Sequence, residues 1–302
     1  MIFEKQFDTF WSQLTARKRN PPKPATLAAY RSYWKNWVNP EIGRLEVSQV
    51  ENGAMKGLVS KLASVNLSPA TIAGITQLVK GIVASAIDDN GNCLYVRKWN
   101  AEFIDQPVIQ DQDAPVIGRE ALSEAISRAQ GQSRTLYALL AGSGLRISEA
   151  LALKVGPRPG SSYWDPDQSK LVIRKALYRG KEQSTKTAAG VREVDLAPEL
   201  NTFLMQNVPQ NDTFCFSNQN GTPLRLGTAY AIKDELGLPG FHSFRRFRIT
   251  HLENQGVPRG LVMFWTGHAG KDVHDRYVRL DKDVEARKEW ANRAGVGFSI
   301  PQ

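Results

Sequence analysis

Thr266-Gly267-His268-Ala269-Gly270-Lys271-Asp272-Val273-His274-Asp275-Arg276-Tyr277 places a phenol nine residues after an imidazole, with a glycine breaking the preceding apolar run. The pattern predicts one short helix ending at Thr266-Gly267-His268 and a second carrying Tyr277. Just upstream, His242-Ser243-Phe244-Arg245 sets a histidine and an arginine three residues apart, on one face of a helix that Ser243 is expected to cap. Further back, Ala141-Gly142-Ser143-Gly144-Leu145-Arg146-Ile147-Ser148-Glu149 puts an arginine directly after a glycine turn. At such a helix start, free backbone N–H groups and a guanidinium can face the same anion. Lys186 adds a movable proton. A nucleophile, two guanidinium clamps, two imidazoles and a proton donor are what a phosphodiester transesterification requires.

Composition bounds the partners. The 302 residues carry 39 Lys and Arg against 30 Asp and Glu, a net charge of +9, and 41% are hydrophobic. That length suits about two domains at roughly 100–200 residues each. Up to position 104 there are 13 basic and 8 acidic residues, and beyond it 26 and 22, so both parts are basic, as expected if each meets a polyanion. No apolar run approaches the ~20 residues of a membrane span. The N-terminus lacks the basic-then-apolar pattern of a signal peptide. Cys93 and Cys215 form no metal-type pair and no disulfide framework, which suits a reducing cytoplasm. The four histidines, His242, His251, His268 and His274, match no ligand spacing for zinc, so neither metal nor cofactor is expected.

Periodicity predicts a helical first part. Phe3, Phe7, Phe10, Trp11 and Leu14 form one stripe, and Leu27, Tyr30, Tyr33, Trp34 and Trp37 form another, both read as core. A third helix is expected over Val50–Leu62. A fourth begins with Ser68 as N-cap and Pro69 at the first helical position, lined by Ile72, Ile75, Val79, Ile82, Val83 and Ala86. The proline-broken, aperiodic stretch over 105–118 reads as a linker between a domain of residues 1–104 and one of 119–302. The second domain should open with a helix over Arg119–Ala129, then another over Thr135–Ala141. Leu171–Tyr178 and Val191–Leu196 alternate like strands, with Gly180–Gly190 as a long hairpin tip. From Phe241 onward the pattern is helical.

In order and spacing these segments resemble the tyrosine recombinase, or phage integrase, family: Gly-Leu-Arg146-Ile-Ser-Glu149, a lysine in a strand connection, His242-x-x-Arg245, Gly267-His268, and Tyr277 nine residues on. The resemblance covers nearly the whole chain, including Leu67-Ser-Pro-Ala-Thr-Ile72 and the tail Asp283–Trp290. It implies an α+β, mostly α architecture. The N-terminal part would be a helical core-binding (SAM-like) clamp, and the C-terminal part a mixed helical catalytic domain with a small antiparallel sheet. It leaves no room for the arm-binding module of many temperate-phage integrases.

The implied activity is site-specific cleavage and rejoining of double-stranded DNA through a 3′-phosphotyrosyl link, without ATP or divalent metal and therefore unaffected by EDTA. Tyr277 is the expected nucleophile. Arg146 and Arg245 are assigned to the nonbridging oxygens, since a planar fork binds phosphate bidentately and stays charged. Lys186 is the expected donor to the departing 5′ oxygen, with nearby Lys181 as a competitor. His268 is expected on a nonbridging oxygen, His242 as acid–base partner of Tyr277, and Glu149 as a brace. Lys23, Arg174, Lys175, Arg179 and Lys181 are candidate DNA-backbone contacts, while Arg246 and Arg248 have no assignment. The resemblance further implies a cytoplasmic, nucleoid-associated protein. It would form a homotetramer on synapsed DNA, with the C-terminal helix exchanged between protomers and deletion of Glu285–Gln302 abolishing synapsis. Two other readings fit the residues: a catalytically silent integrase-like DNA-binding protein, and a monomeric type IB topoisomerase-like relaxase.

Overall fold

A serine and a proline explain the best-formed helix of the first half. Ser68 Oγ accepts the Thr71 N–H at 3.3 Å, Pro69 occupies the first turn, and helix α5 then runs over Pro69–Ala84. The computed structural model describes residues 1–109, 115–185, 188–209, 213–268 and 282–300. It divides into two compact units, Met1–Gln112 and Asp113–Gln302.

In the first unit α5 follows α1 (Phe3–Thr15), α2 (Pro24–Tyr33), α3 (Asn39–Ile42) and α4 (Asn52–Ser64), and α6 (Ala101–Ile104) comes after it. A π-helical turn, Trp34–Val38, joins α2 to α3. The first stripe is core except for half-buried Trp11, whereas of the second only Trp34 is buried and Leu27, Tyr30, Tyr33 and Trp37 pack half-buried against the cluster. Phe7 stacks on Trp34 at 4.0 Å, Phe10 lies 6.4 Å from Tyr30, and both phenylalanines join the cluster around Ile72, Ile75 and Val79. Their burial is the main stabilising term of the unit.

The second unit is built around α8 (Gly131–Ser143), which follows α7 (Arg119–Arg128) and is buried along its last two turns. Short α9 (Ile147–Ala150) leads into strands β1 (Lys154–Val155), β2 (Tyr163–Asp165), β3 (Lys170–Ile173), β4 (Lys175–Tyr178), β5 (Lys181–Ser184) and β6 (Arg192–Asp195). Helices α10 (Pro198–Asn207), α11 (Leu226–Glu235), α12 (His242–Asn254), α13 (Arg259–Thr266) and α14 (Val284–Ala294) complete it. Helices α10 and α12 both pack on α8.

Three expectations are corrected. Leu171–Tyr178 is not one strand: the Ser162 hydroxyl accepts the N–H groups of both Arg174 and Lys175 at 2.8 Å, pulling the chain off β3. Beyond that break the chain forms a separate β4–β5 hairpin in which Tyr178 pairs with Lys181. Its tip is the two residues Arg179 and Gly180, both at positive φ (50° and 76°), rather than a loop reaching Gly190. The main sheet, ordered β1-β2-β3-β6, is also not wholly antiparallel. Strand β1 pairs parallel to β2 because Gly156 and Gly160, at φ 72° and 77°, loop the chain back beside itself.

Two anchors set the ends of the segments that carry the candidate site residues. Gly144 closes α8 in the left-handed region (φ 70°), its N–H reaching Leu140 O at 3.0 Å, and a Cβ there would meet Arg248 Cγ at 3.2 Å. Gly144→Ala should therefore lower stability by about 1–2 kcal/mol, the left-handed penalty for an L side chain. A loss below a few tenths in urea unfolding would contradict this.

The tail is the second anchor. Arg287 on α14, 3% exposed, binds Asp195 Oδ2 through Nε at 2.9 Å and Glu193 Oε2 through a terminal nitrogen at 2.7 Å. Asp195 Oδ2 also accepts the Trp265 indole N–H at 2.8 Å. Arg248 is buried and donates to Gly295 O, Glu199 accepts the Val296 N–H at 3.0 Å, and Ala294, Val296 and Phe298 are core. One face of the tail, with Ala291, Ala294, Val296 and Phe298, thus belongs to the hydrophobic core of this unit. Deleting Glu285–Gln302, expected from sequence to probe assembly alone, removes core as well.

Candidate active site

Arg146 follows the Gly144 turn and N-caps α9, where its own backbone N–H and one terminal nitrogen reach Glu149 at 2.9 and 3.0 Å. A third of the Arg146 side chain stays accessible, whereas Glu149 is 3% exposed. Burial by itself would raise the Glu149 carboxyl. Hydrogen bonds and charge from Arg192, joined by Arg146, outweigh it and hold the pKa below the ordinary carboxylate value. Glu149 is accordingly an ionised brace.

Helix α12 supplies His242 and Arg245, and α13 ends at Gly267 in the left-handed region (φ 66°), turning the chain to present His268. Ser243 does not cap α12; its hydroxyl donates backward to Gly240 O at 2.8 Å. Arg245 is buried and cross-links two site-bearing turns, donating to Gly144 O at 3.0 Å and to Thr266 O. It also lies 3.3 Å from His268 Nε2. Burial first, then the Arg146 charge, push its pKa down to about 10, which leaves it a cation at neutral pH.

The hydrogen-bond chain assigns the His268 tautomer. Thr266 Oγ1 donates to Val262 O at 2.7 Å and sits 3.0 Å from His268 Nδ1, so Nδ1 carries the hydrogen. Nε2 then turns its lone pair to the Arg245 donor. Burial, followed by Arg245 and Arg146, lowers the His268 pKa; burial, Arg245, Arg246 and Arg146 lower that of His242. Both imidazoles are therefore neutral at pH 7 in the DNA-free protein.

His251 shifts the same way, chiefly through burial, with its Nε2 at 2.8 Å from Ala294 O. Groups whose folded pKa lies below the unfolded ~6.5 make the unfolded chain bind more protons, so stability falls as pH drops through that value. Between pH 7 and 5 the melting temperature should decline, and less so in His251→Gln. An unchanged melting temperature would overturn this.

Arg146, His242, Arg245, His268 and Glu149 thus come together in the second unit. Lys186 and Tyr277 lie outside the described residues. Of the candidate DNA contacts in this unit, Arg174, Arg179 and Lys181 are exposed and Lys175 is half-buried, all on or beside the β4–β5 hairpin; Lys23 N-caps α2 in the other unit. Arg248 is structural, and Arg246 donates to Pro115 O at 2.9 Å. Among the described residues no three His, Cys, Asp or Glu side chains are grouped to hold a metal, and no helix is long and apolar enough to cross a membrane. Burial pushes the Cys215 thiol up to about 12.

The sequence matches no family model. It is 23% identical over 258 residues to transposase B from transposon PsiTn554 of Staphylococcus aureus, and 22% identical over 261 residues to transposase B from Tn554 of the same species. Each match takes in 78% of this chain but 38% of the relative, so the chain spans well under half the length of these curated relatives. Among solved structures, the Tn1549 transposon integrase in complex with transposon right end DNA superposes with a TM-score of 0.69 at 19% identity, covering 96% of this chain and 98% of that one. The fold is that of the tyrosine recombinases. A lambda integrase tetramer bound to a Holliday junction shares this recombinase fold, with a TM-score of 0.66 at 13% identity over 90% of this chain and 79% of the other.

Arg192 is the residue of the recombinase fold that sequence reasoning passed over. It is 4% exposed and donates to Glu149 Oε2 at 2.9 Å and to Trp265 O at 2.7 Å. An arginine inside an alternating apolar strand was the available signal.

Proposed function

We propose that the protein is a site-specific DNA recombinase that cuts and rejoins duplex DNA through Tyr277. The observation that carries this reading is the convergence of Arg146 from the start of α9, Arg245 from α12 and His268 from the turn after α13 into one cationic site, in the order and spacing that place Tyr277 nine residues after His268. In the proposed reaction the Tyr277 phenolic oxygen forms a bond to the scissile phosphorus as the bond to the 5′ oxygen breaks. The phenolic proton passes to His242, which is neutral and able to accept it, and Lys186 delivers a proton to the 5′ oxygen. Arg146 and Arg245 oppose the charge growing on the nonbridging oxygens, and His268 adds a hydrogen bond there only when it gains a second hydrogen, on Nε2; as the neutral imidazole it holds the Arg245 fork in place. The product is a 3′-phosphotyrosyl link with a free 5′ hydroxyl. Rejoining reverses these steps at equal bond count, so no nucleotide is consumed.

The first unit, with its +5 balance up to position 104, would add phosphate contacts of its own. Assembly as a homotetramer on paired sites, with α14 exchanged between protomers, fits the way the helix is held. Arg287 could meet a neighbour's Asp195 as it meets its own, the low-cost route to association that swapping an identical element provides. The relatives named transposases and integrases support a role on a mobile element.

The test begins with duplexes recovered from a random-sequence pool on the wild-type protein, resynthesised with bridging phosphorothiolates that trap the cleaved state. A covalent protein–DNA adduct should form in EDTA. Strict dependence on a divalent ion, or binding with no adduct on any recovered site, would overturn the reading.

A further inference from the structure

Among the described residues, Arg192 makes four hydrogen bonds to three different segments of the site. Nε donates to Trp265 O at 2.7 Å, one terminal nitrogen to Gly190 O at 3.1 Å and Glu149 Oε1 at 3.2 Å, and the other to Glu149 Oε2 at 2.9 Å. These are the turn that leads to His268, the stretch four residues past Lys186, and the brace of Arg146. Each Glu149 oxygen is shared. Oε1 takes a terminal nitrogen of Arg146 as well as of Arg192, and Oε2 takes the Arg146 backbone N–H as well as Arg192. The glycine before His268 belongs to the same arrangement: a Cβ on Gly267 would lie 2.9 Å from an Arg192 nitrogen and 3.1 Å from Ala189 O.

Burying this group is costly, and a hydrocarbon of similar volume would pack with a smaller desolvation penalty. What the guanidinium does that a hydrocarbon cannot is occupy the carboxylate. With Arg192 in place, Arg146 holds Glu149 through a single terminal nitrogen. Without it, Glu149 is free to take the Arg146 fork in the bidentate geometry that arginine and carboxylate prefer, turning those donors away from a phosphate. We propose that Arg192 is a positioning residue that keeps the Arg146 fork directed at the scissile phosphate by competing with it for Glu149, and that it sets the His268 turn through the Trp265 carbonyl.

This rests on the recombinase reading above, and the experiment separates the two. Single-turnover adduct formation is measured for the full chain on recovered sites bearing either a normal scissile phosphate or a methylphosphonate, whose lost charge makes a guanidinium clamp dispensable. The proteins are wild type, Arg146→Ala, Arg192→Lys, and the double variant Glu149→Gln with Arg192→Met, which removes the buried pair together and with it the carboxylate that would capture Arg146. A displacement of about 1 Å at a reacting group can cost on the order of 10²-fold. Arg192→Lys should accordingly lose about 10–100-fold on phosphate with DNA affinity nearly unchanged, and the double variant, with no carboxylate left to capture the Arg146 fork, should recover most of that loss. Most of the Arg192→Lys loss should disappear on methylphosphonate, in parallel with Arg146→Ala. Equal loss by Arg192→Lys on both substrates, or a double variant as impaired on phosphate as Arg146→Ala, would mark a purely structural role and overturn the proposal, as would wild-type rates for Arg192→Lys on phosphate. A wild-type protein that forms no adduct on either substrate overturns the recombinase reading, and this proposal with it.

Discussion

Tyr277→Phe should leave the protein able to bind its DNA site and unable to form any covalent adduct, a loss of at least about 10⁴-fold in cleavage by comparison with nucleophile removal in other enzymes. The substitution deletes one oxygen. An unperturbed phenol, with a pKa near ~10, is a weak nucleophile at neutral pH, so the cationic surroundings matter as much as the phenol itself. Arg146 is part-exposed beside the neutral imidazoles of His242 and His268, so its guanidinium is available to favour phenolate and to meet the phosphate. Removing a single donor to the developing charge typically costs about 10²–10³-fold, well short of the nucleophile itself. Binding should persist because affinity for duplex DNA comes mainly from phosphate contacts spread over the surface. Denaturing gels read the adduct and mobility shifts read the binding. Adduct formation by the phenylalanine variant would assign the attack to another side chain.

Arg287→Ala should destabilise the second unit by about 3–5 kcal/mol, the usual cost of removing one partner of a buried ion pair. The Arg287 side chain is 3% exposed and that of Asp195 1%, so the stranded carboxylate would face the Trp265 indole N–H with its cationic partner gone. Against a total of roughly 5–15 kcal/mol for a typical domain, much of the stability would be gone. Urea unfolding of the full chain measures it, and a change under about 1 kcal/mol, as for exposed pairs, would mean that the network is solvated. Arg287→Lys keeps the charge but not the fork and should fall between. This sensitivity is why point variants on the outer face of α14 are a cleaner probe of protomer assembly than truncation.

What could be read from sequence was local. Ser68 and Pro69 announce α5, the aromatic stripes announce α1 and α2, and Gly144 marks the end of α8, because each depends on neighbours within a turn or two. Arg146, His242, Arg245 and His268 were legible through their motifs and stand together in the fold. What escaped depends on distant partners. The break between β3 and β4 is made by the hydroxyl of Ser162, and the role of Arg192 by a carboxylate 43 positions away. Ser243 fails as a cap because a carbonyl three residues earlier takes its hydroxyl. Strand β1 joins its sheet in parallel through two glycines whose dihedral angles composition does not reveal.

The shared oxygen of Asp195 has a practical corollary. Because Oδ2 grips both the Trp265 indole and the Arg287 guanidinium, a buried fluorophore is wired to the terminal helix. Undocking that helix strips a charged neighbour from the indole, so the emission of Trp265 becomes an internal gauge of tail release, readable without labels once the other tryptophans are replaced by phenylalanine.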